Sequence, residues 1–166
     1  MHPNQRRIMG ELIGRFLGPA KTVYDIGSFN VNGTHRDQIE SLTKKYIGAD
    51  ICSGSNVDVL LTGPYDWCPL PMGGCPAIIS GSCLEHVEAP WLWATEAYKR
   101  LAPGGIIICI VPFTINEHRY PVDCYRYLPD GFRYLFGNHA GFSVLDCAFS
   151  THDSMTDTYF VGMKRH

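Results

Sequence analysis

The run Val23-Tyr24-Asp25-Ile26-Gly27-Ser28-Phe29-Asn30-Val31-Asn32-Gly33, followed by Tyr46-Ile47-Gly48-Ala49-Asp50, constrains this chain more than any other segment. A short apolar stretch ends in an acid and enters a glycine turn. A helix-like stretch, a second apolar stretch and a second acid follow. Gly27 and Asp50 stand 23 residues apart, close to the spacing at which a nucleotide-binding βαβ unit places a carboxylate on a ribose. Glycine at the carboxyl end of the first strand lets backbone approach a ligand, because it has no side chain to obstruct contact. The pattern predicts a cofactor site on two adjacent strands.

The turn differs from a dinucleotide fingerprint. Gly-x-Gly-x-x-Gly would seat a pyrophosphate on the helix N-terminus. Here bulky Phe29 stands where the second glycine would let backbone meet phosphate, and no Gly-x-x-x-x-Gly-Lys-Ser/Thr loop occurs in the sequence. The turn therefore suits an adenosine-like ligand without phosphates. Asp25, just before it, repels phosphate and favours a cation such as a sulfonium or an amine.

On these residues the chain resembles the class I S-adenosylmethionine-dependent methyltransferases, specifically their small type 11 branch. Asp25-Ile26-Gly27 resembles the family's Asp/Glu-x-Gly-x-Gly-x-Gly motif, and Asp50 its ribose-binding acid. Ser82-Cys83-Leu84-Glu85-His86-Val87 is similar to its Leu-Glu-His-Val after the fourth strand, and Leu101-Ala102-Pro103-Gly104-Gly105 to its Leu-Lys-Pro-Gly-Gly turn before the fifth. The register of these elements covers residues 22–163. Two positions depart from the pattern: Phe29 replaces the middle glycine, and Pro76 stands where the family usually has Asp.

The resemblance implies S-adenosylmethionine as cofactor and methyl transfer as the reaction. It assigns Asp25, Gly27, Ser28, Phe29, Gly33, Asp50, Ile51, Asp66, Trp67 and Ser82 to cofactor binding. Asp66-Trp67 follows the third strand, where the family places an acid for the adenine amino group and an apolar neighbour against the ring. Alternatives from other classes stay open. One is a non-catalytic domain that keeps the nucleoside pocket; another is a nicotinamide-dependent oxidoreductase. A hydrolase on Cys83 or Ser82 lacks the Gly-x-Ser-x-Gly elbow.

Strand-like stretches over 22–26, 46–49, 57–61, 77–80, 106–111, 142–146 and 159–163 alternate with helix-like ones over 5–17, 34–45, 91–101 and 130–136. Thr34 is placed to cap the second helix, and Lys44 and Lys45 suit its last turn. Residues 51–57 have no helical period, so a loop replaces the helix expected there, and Tyr65 to Cys75 is a second loop, rich in Pro and Gly. Ile106 to Val111 is continuously apolar, as in a central strand buried on both faces. The alternation predicts a doubly wound α/β sheet, Rossmann-like and mostly parallel, and the resemblance adds an antiparallel last strand.

A chain of 166 residues is expected to form one domain over 1–166, with an N-terminal helix in 1–20 and an acceptor-side insertion at 112–130. A net charge of −2 gives no electrostatic footprint for nucleic acid, and Arg6, Arg7 and Arg15 read as a solvated helix face. The basic N-terminus lacks an apolar signal-peptide core, and the longest apolar run, Ile106 to Pro112, is too short to span a bilayer. A cytoplasmic location without membrane partners is expected. Seven cysteines without a Cys-x-x-Cys pair suit a reducing compartment. Cys68, Cys75, Cys83 and His86 match no zinc spacing, so no metal is expected.

The acceptor side is expected after strands four and five. His86 is a candidate general base, since imidazole titrates near neutral pH. In the structural alternative, Glu85 and His86 satisfy backbone groups at the start of the next helix. The segment His118-Arg119-Tyr120-Pro121-Val122-Asp123-Cys124-Tyr125-Arg126-Tyr127 offers stacking faces and a bidentate fork. His118 and Tyr120 join His86 as catalytic candidates, and Tyr120, Asp123, Tyr125 and Arg126 are candidates for binding the acceptor. In the alternative here, Asp123 and Arg126 pair with each other inside a lid. A small molecule or a glycan fits this chemistry better than nucleic acid. A homodimer is one way for a small chain to close an open cleft.

Overall fold

The apolar stretches of the sequence become the strands of one seven-stranded sheet, ordered β3-β2-β1-β4-β5-β7-β6. A computed structural model describes residues 3–19, 21–43 and 45–166. The elements run α1 (Pro3–Phe16), β1 (Thr22–Ile26), α2 (Arg36–Glu40), β2 (Lys45–Asp50), β3 (Val59–Leu60) and β4 (Cys75–Gly81). A 3₁₀ turn at Leu84–His86 leads into α3 (Pro90–Arg100), β5 (Leu101–Pro112), α4 (Pro129–Phe132), β6 (Ser143–His152) and β7 (Met155–Met163). The pairs β1–β2, β1–β4, β2–β3 and β4–β5 are parallel, and β7 is antiparallel to both neighbours. The sheet is the doubly wound, mostly parallel α/β arrangement the sequence predicts, with β7 as the antiparallel last strand.

Alternation along the strands feeds two cores. Ile26, Ala49, Ile78, Ile107 and Cys109 meet Trp93, Phe132, Phe136 and Phe160 on the face covered by α3 and α4. Val23, Ala77, Ile79, Ile106, Ile108 and Ile110 meet Ile8, Met9, Leu12 and Ile13 of α1 on the other. β5 is therefore buried on both sides, as its uninterrupted apolar run requires.

Several boundaries shift. α2 stops at Glu40 rather than 45, because the Thr43 hydroxyl and the Leu42 and Thr43 amides all bond Ile39 O. Lys45 opens β2, and Lys44 lies outside the described residues. The Thr34 hydroxyl does accept from the Arg36 amide, at 3.0 Å. β3 shrinks to Val59–Leu60, since Asp58 turns its carboxylate to the Gly48 amide and Arg36. The helix predicted over 130–136 continues past α4 as a wider π-helical stretch, Arg133–His139. β6 and β7 form a hairpin longer than the apolar pattern indicates. The backbone ladder continues through Thr151↔Thr156 and His152↔Met155, where three of the four side chains are polar and no apolar alternation marks a strand.

Candidate cofactor and acceptor site

The chain leaves β1 outward to β2 and β3, then returns to β4 on the other side of β1. In an open α/β sheet the crevice beyond the strand ends at such a reversal is where ligands bind. A cavity of about 70 Å³ lies there, lined by Asp25, Gly27, Ser28, Phe29, Gly33 and Ser82 together with His35 and Asn56. Of the sequence-predicted cofactor residues, these six meet at one place.

Gly27 has φ +82, and its backbone passes so close to the Cys83 side chain that a Cβ would collide with the thiol. Its amide and that of Ser28 both reach Ala49 O, at 3.0 and 3.3 Å, which ties the turn to β2. Asp25 is buried, and the Tyr46 hydroxyl donates to its Oδ2 at 2.6 Å. Asn56 donates to the same phenol at 2.9 Å and to Ser28 O at 2.8 Å, while Arg36 Nε donates to Asn56 Oδ1 at 2.7 Å. Burial raises the Asp25 carboxyl to about 7, against the Tyr46 hydrogen bond that favours its ionised form. The result is a carboxylate whose charge a cationic ligand would stabilise. Tyr46, Asn56 and Arg36 lack any motif and were not legible as site residues.

Asp50 ends β2 as expected, but its oxygens are already engaged. Oδ2 accepts from the Phe29 amide and Oδ1 from the Cys52 amide, both at 2.9 Å. Each carboxylate oxygen keeps one further lone pair. The Phe29 ring lies on Gly54, leaving no room for a Cβ there, and Phe29 also lines the cavity. At about 70 Å³ the cavity is well below the ~300 Å³ at which small-molecule pockets begin.

Asp50, Ile51, Asp66 and Trp67 do not line this cavity. Ile51 is about half exposed. Asp66 accepts from the Cys68 amide and lies 3.6 Å from the Arg100 guanidinium. Trp67, the expected adenine neighbour, packs into the core. It is fully buried, its ring sits edge-on to Trp93 at 4.9 Å, and its indole donates to Pro64 O. The Pro-rich loop folds its large aromatic into the core because that burial removes the most apolar surface from water.

The acceptor-side residues also converge. The His86 ring contacts those of His118 and Tyr120, with centroids 4.9 and 6.2 Å away. The Tyr125 hydroxyl donates to Glu88 O at 3.0 Å. Asp123 and Arg126 form a bidentate pair at 2.6 and 2.7 Å, and Asp123 also accepts from the His118 amide. The Arg126 guanidinium holds the Asp123 carboxyl well below the usual carboxylate range. These two residues therefore tie the loop together through each other. The Cys124 and Tyr125 amides bond Glu85 O, which pins the segment over the Leu84–His86 turn. The Glu85 carboxylate is fully buried at the centre of this group, and burial pushes it up to about 8. Nothing in its sequence setting marks it as different from a helix-start acid.

No protein-family model and no curated protein matches this sequence. Solved structures do match in fold. The Burkholderia thailandensis 1,6-didemethyltoxoflavin-N1-methyltransferase, with S-adenosylhomocysteine bound, is 14% identical with a TM-score of 0.77, covering 98% of this chain and 79% of that one. The Haemonchus contortus phosphoethanolamine N-methyltransferase 2, with phosphomonomethylethanolamine and S-adenosylhomocysteine, is 12% identical with a TM-score of 0.70, covering 99% and 53%. The [4+2]-cyclase SpnF is 14% identical with a TM-score of 0.73, covering 96% and 81%. The sheet order, the antiparallel β7 and these likenesses agree: the chain has the fold of the class I S-adenosylmethionine-dependent methyltransferases.

Proposed function

We propose that the protein binds S-adenosylmethionine at the β1–β4 reversal and transfers its methyl group to a small molecule or glycan held under residues 112–130. The observation that carries this reading is the placement of two acids, Asp25 and Asp50, at the carboxyl ends of adjacent parallel strands. Between them runs a turn that Gly27 allows to pass close to Cys83. The donor set fits the cofactor: a buried carboxylate for its cationic end and a strand-end carboxylate with free lone pairs for its ribose. The cofactor needs more than the cavity's volume of about 70 Å³, and Phe29, which lines it, is a side chain whose movement would widen it. The whole chain acts as one domain in this reading.

The cofactor, when bound, supplies a methyl carbon activated by the sulfonium. The chain's own task is to hold an acceptor in line, and such positioning contributes up to ~7–11 kcal/mol. His86, partly exposed beside Tyr120, is the group placed to take a proton from an alcohol or an ammonium. Burial depresses its basicity, so it is neutral and able to accept at physiological pH. Phosphomonomethylethanolamine in the Haemonchus structure and didemethyltoxoflavin in the Burkholderia one make small acceptors a reasonable first library.

A second reading, a nucleoside-binding domain without turnover, is favoured by the small volume of the cavity. Calorimetric titration with S-adenosylhomocysteine, on wild type and on Asp50→Ala, separates the possibilities. Micromolar binding weakened at least tenfold by the substitution, about 1.4 kcal/mol, is the expected result. Binding without methyl transfer to any acceptor favours the second reading. A melting shift with NAD and none with S-adenosylmethionine would instead place the protein among nicotinamide-dependent oxidoreductases.

A further inference from the structure

Glu85 is the least satisfied charged side chain in the site. It is fully buried, and among the described residues no other residue donates a hydrogen bond to either carboxylate oxygen. A buried carboxylate in that condition must keep a proton or meet a cation. Arg126 does not serve, because its guanidinium is engaged by Asp123. What faces Glu85 instead is a pair of imidazoles. His86 Nε2 lies 3.7 Å and His118 Nε2 3.9 Å from Oε1.

The other ring nitrogens settle the orientation. His86 Nδ1 is 2.6 Å from Val122 O, and His118 Nδ1 is 3.1 Å from Asn116 O. A carbonyl only accepts, so each neutral imidazole carries its proton on Nδ1 and turns the Nε2 lone pair toward Glu85. Two lone pairs and a carboxylate converge on one point. Nδ1 tied to a carbonyl with Nε2 left free is also the usual arrangement around a metal-bound histidine.

We infer that Glu85, His86 and His118 form a binding site for a divalent first-row transition metal ion. One ligand atom from each residue lies within 4.8 Å of the others. Metal–ligand bonds of ~2.0–2.2 Å require the three to draw together by a few tenths of an ångström to about 1 Å. His118 can supply that movement, since its side chain is 32% exposed on a loop. Two imidazoles and one carboxylate suit zinc, iron(II), cobalt or manganese better than calcium or magnesium, and they leave coordination positions open. The half-exposed Tyr120 ring borders the opening. Such an ion would lower the pKa of a bound hydroxyl, and with His86 Nε2 engaged as its ligand it would replace His86 as the means of removing the acceptor's proton. That use in methyl transfer rests on the function proposed above; the existence of the site does not. Sequence spacing gave no sign of it, because the third ligand arrives on a loop 33 residues after Glu85.

The test uses the full chain, stripped with a chelator and titrated with Co²⁺ alone. One equivalent should bind, with visible d–d bands, no thiolate charge-transfer band, and a rise in melting temperature. His118→Ala and Glu85→Gln should each weaken binding at least tenfold. Should Glu85→Gln fail to fold, His118→Ala decides the matter, since its loop position tolerates truncation. The absence of saturable binding by wild type would mean that Glu85 simply keeps a proton, and would overturn the proposal. So would a thiolate band, or unchanged affinity in His118→Ala. S-adenosylhomocysteine is absent from the titration, so failure here leaves the cofactor reading intact.

Discussion

The Tyr46 hydroxyl donates to Asp25 Oδ2 at 2.6 Å across two adjacent parallel strands, inside a shell that keeps Asp25 4% exposed. The strand register places Val23, two residues before Asp25, opposite Tyr46. The phenol therefore reaches along the sheet face to the acid at the mouth of the site. This one bond partly offsets the cost of burying the carboxylate that the glycine turn places there.

Asp25 should give the protein a measurable pH dependence. Its carboxyl stands at about 7 when folded and 3.8 otherwise, so between these values the folded state holds a proton that the unfolded chain has released. Its stabilising contribution is complete below pH 4, falls as pH rises, and is lost above about 7. His35 opposes it. Burial, reinforced by Arg6, lowers that imidazole to about 4 from 6.5, so its contribution is present above 6.5 and lost as pH falls toward 4. Melting curves of wild type and Asp25→Asn from pH 4 to 8 should show the variant gaining relative stability up to pH 7, at roughly 2–4 °C per kcal/mol. A pH-independent difference would show that Asp25 titrates normally. Tyr46→Phe should push Asp25 further up.

Gly27→Ala should destabilise the fold by about 1–3 kcal/mol through its positive φ alone, with the Cys83 collision added. Urea unfolding of Gly27→Ala, Cys83→Gly and the double variant tests the split, because both Sγ and Cβ of Cys83 stand in the way of the new methyl. Cys83→Gly should recover the collision and leave the backbone strain in place. Full recovery would show that φ carries no cost.

Phe29→Ala should widen the cavity that the ring lines. Calorimetry with S-adenosylhomocysteine is expected to show tighter or faster binding than wild type, because the ring no longer takes up space in the cavity. Weaker binding would mean that the ring itself contacts the ligand.

Trp67→Phe separates a purely structural role from an adenine contact. The smaller ring loses edge-on contact with Trp93, and about 1–3 kcal/mol of stability should go with it. Cofactor affinity should stay within twofold of wild type. A tenfold loss in a folded variant would restore Trp67 to the adenine site.

Arg126→Ala should loosen the 112–130 segment without unfolding the sheet. Asp123, 2% exposed at its side chain, would lose its bidentate partner and keep the His118 amide, with the His118 ring 3.6 Å away. Hydrogen exchange is expected to quicken at His118, Cys124 and Tyr125 while the β4 and β5 amides stay protected. Uniform quickening would show that the ion pair supports the whole fold.

The sequence by itself determined the sheet and the places where its strands present acids. The apolar runs, the glycine after β1 and the missing helix after β2 are local facts, and local periodicity reports them directly. Asp25, Gly27 and Asp50 were legible because strand ends in a parallel sheet have fixed neighbours. Tertiary structure decided which side chains meet. It sent Trp67 inward, spent Asp50 on the Phe29 and Cys52 amides, paired Asp123 with Arg126, and brought His118 beside Glu85. Each of these depends on where a long loop comes to rest. A loop's landing place is chosen by burial and hydrogen bonding summed over the whole molecule, and no periodicity within the loop records it.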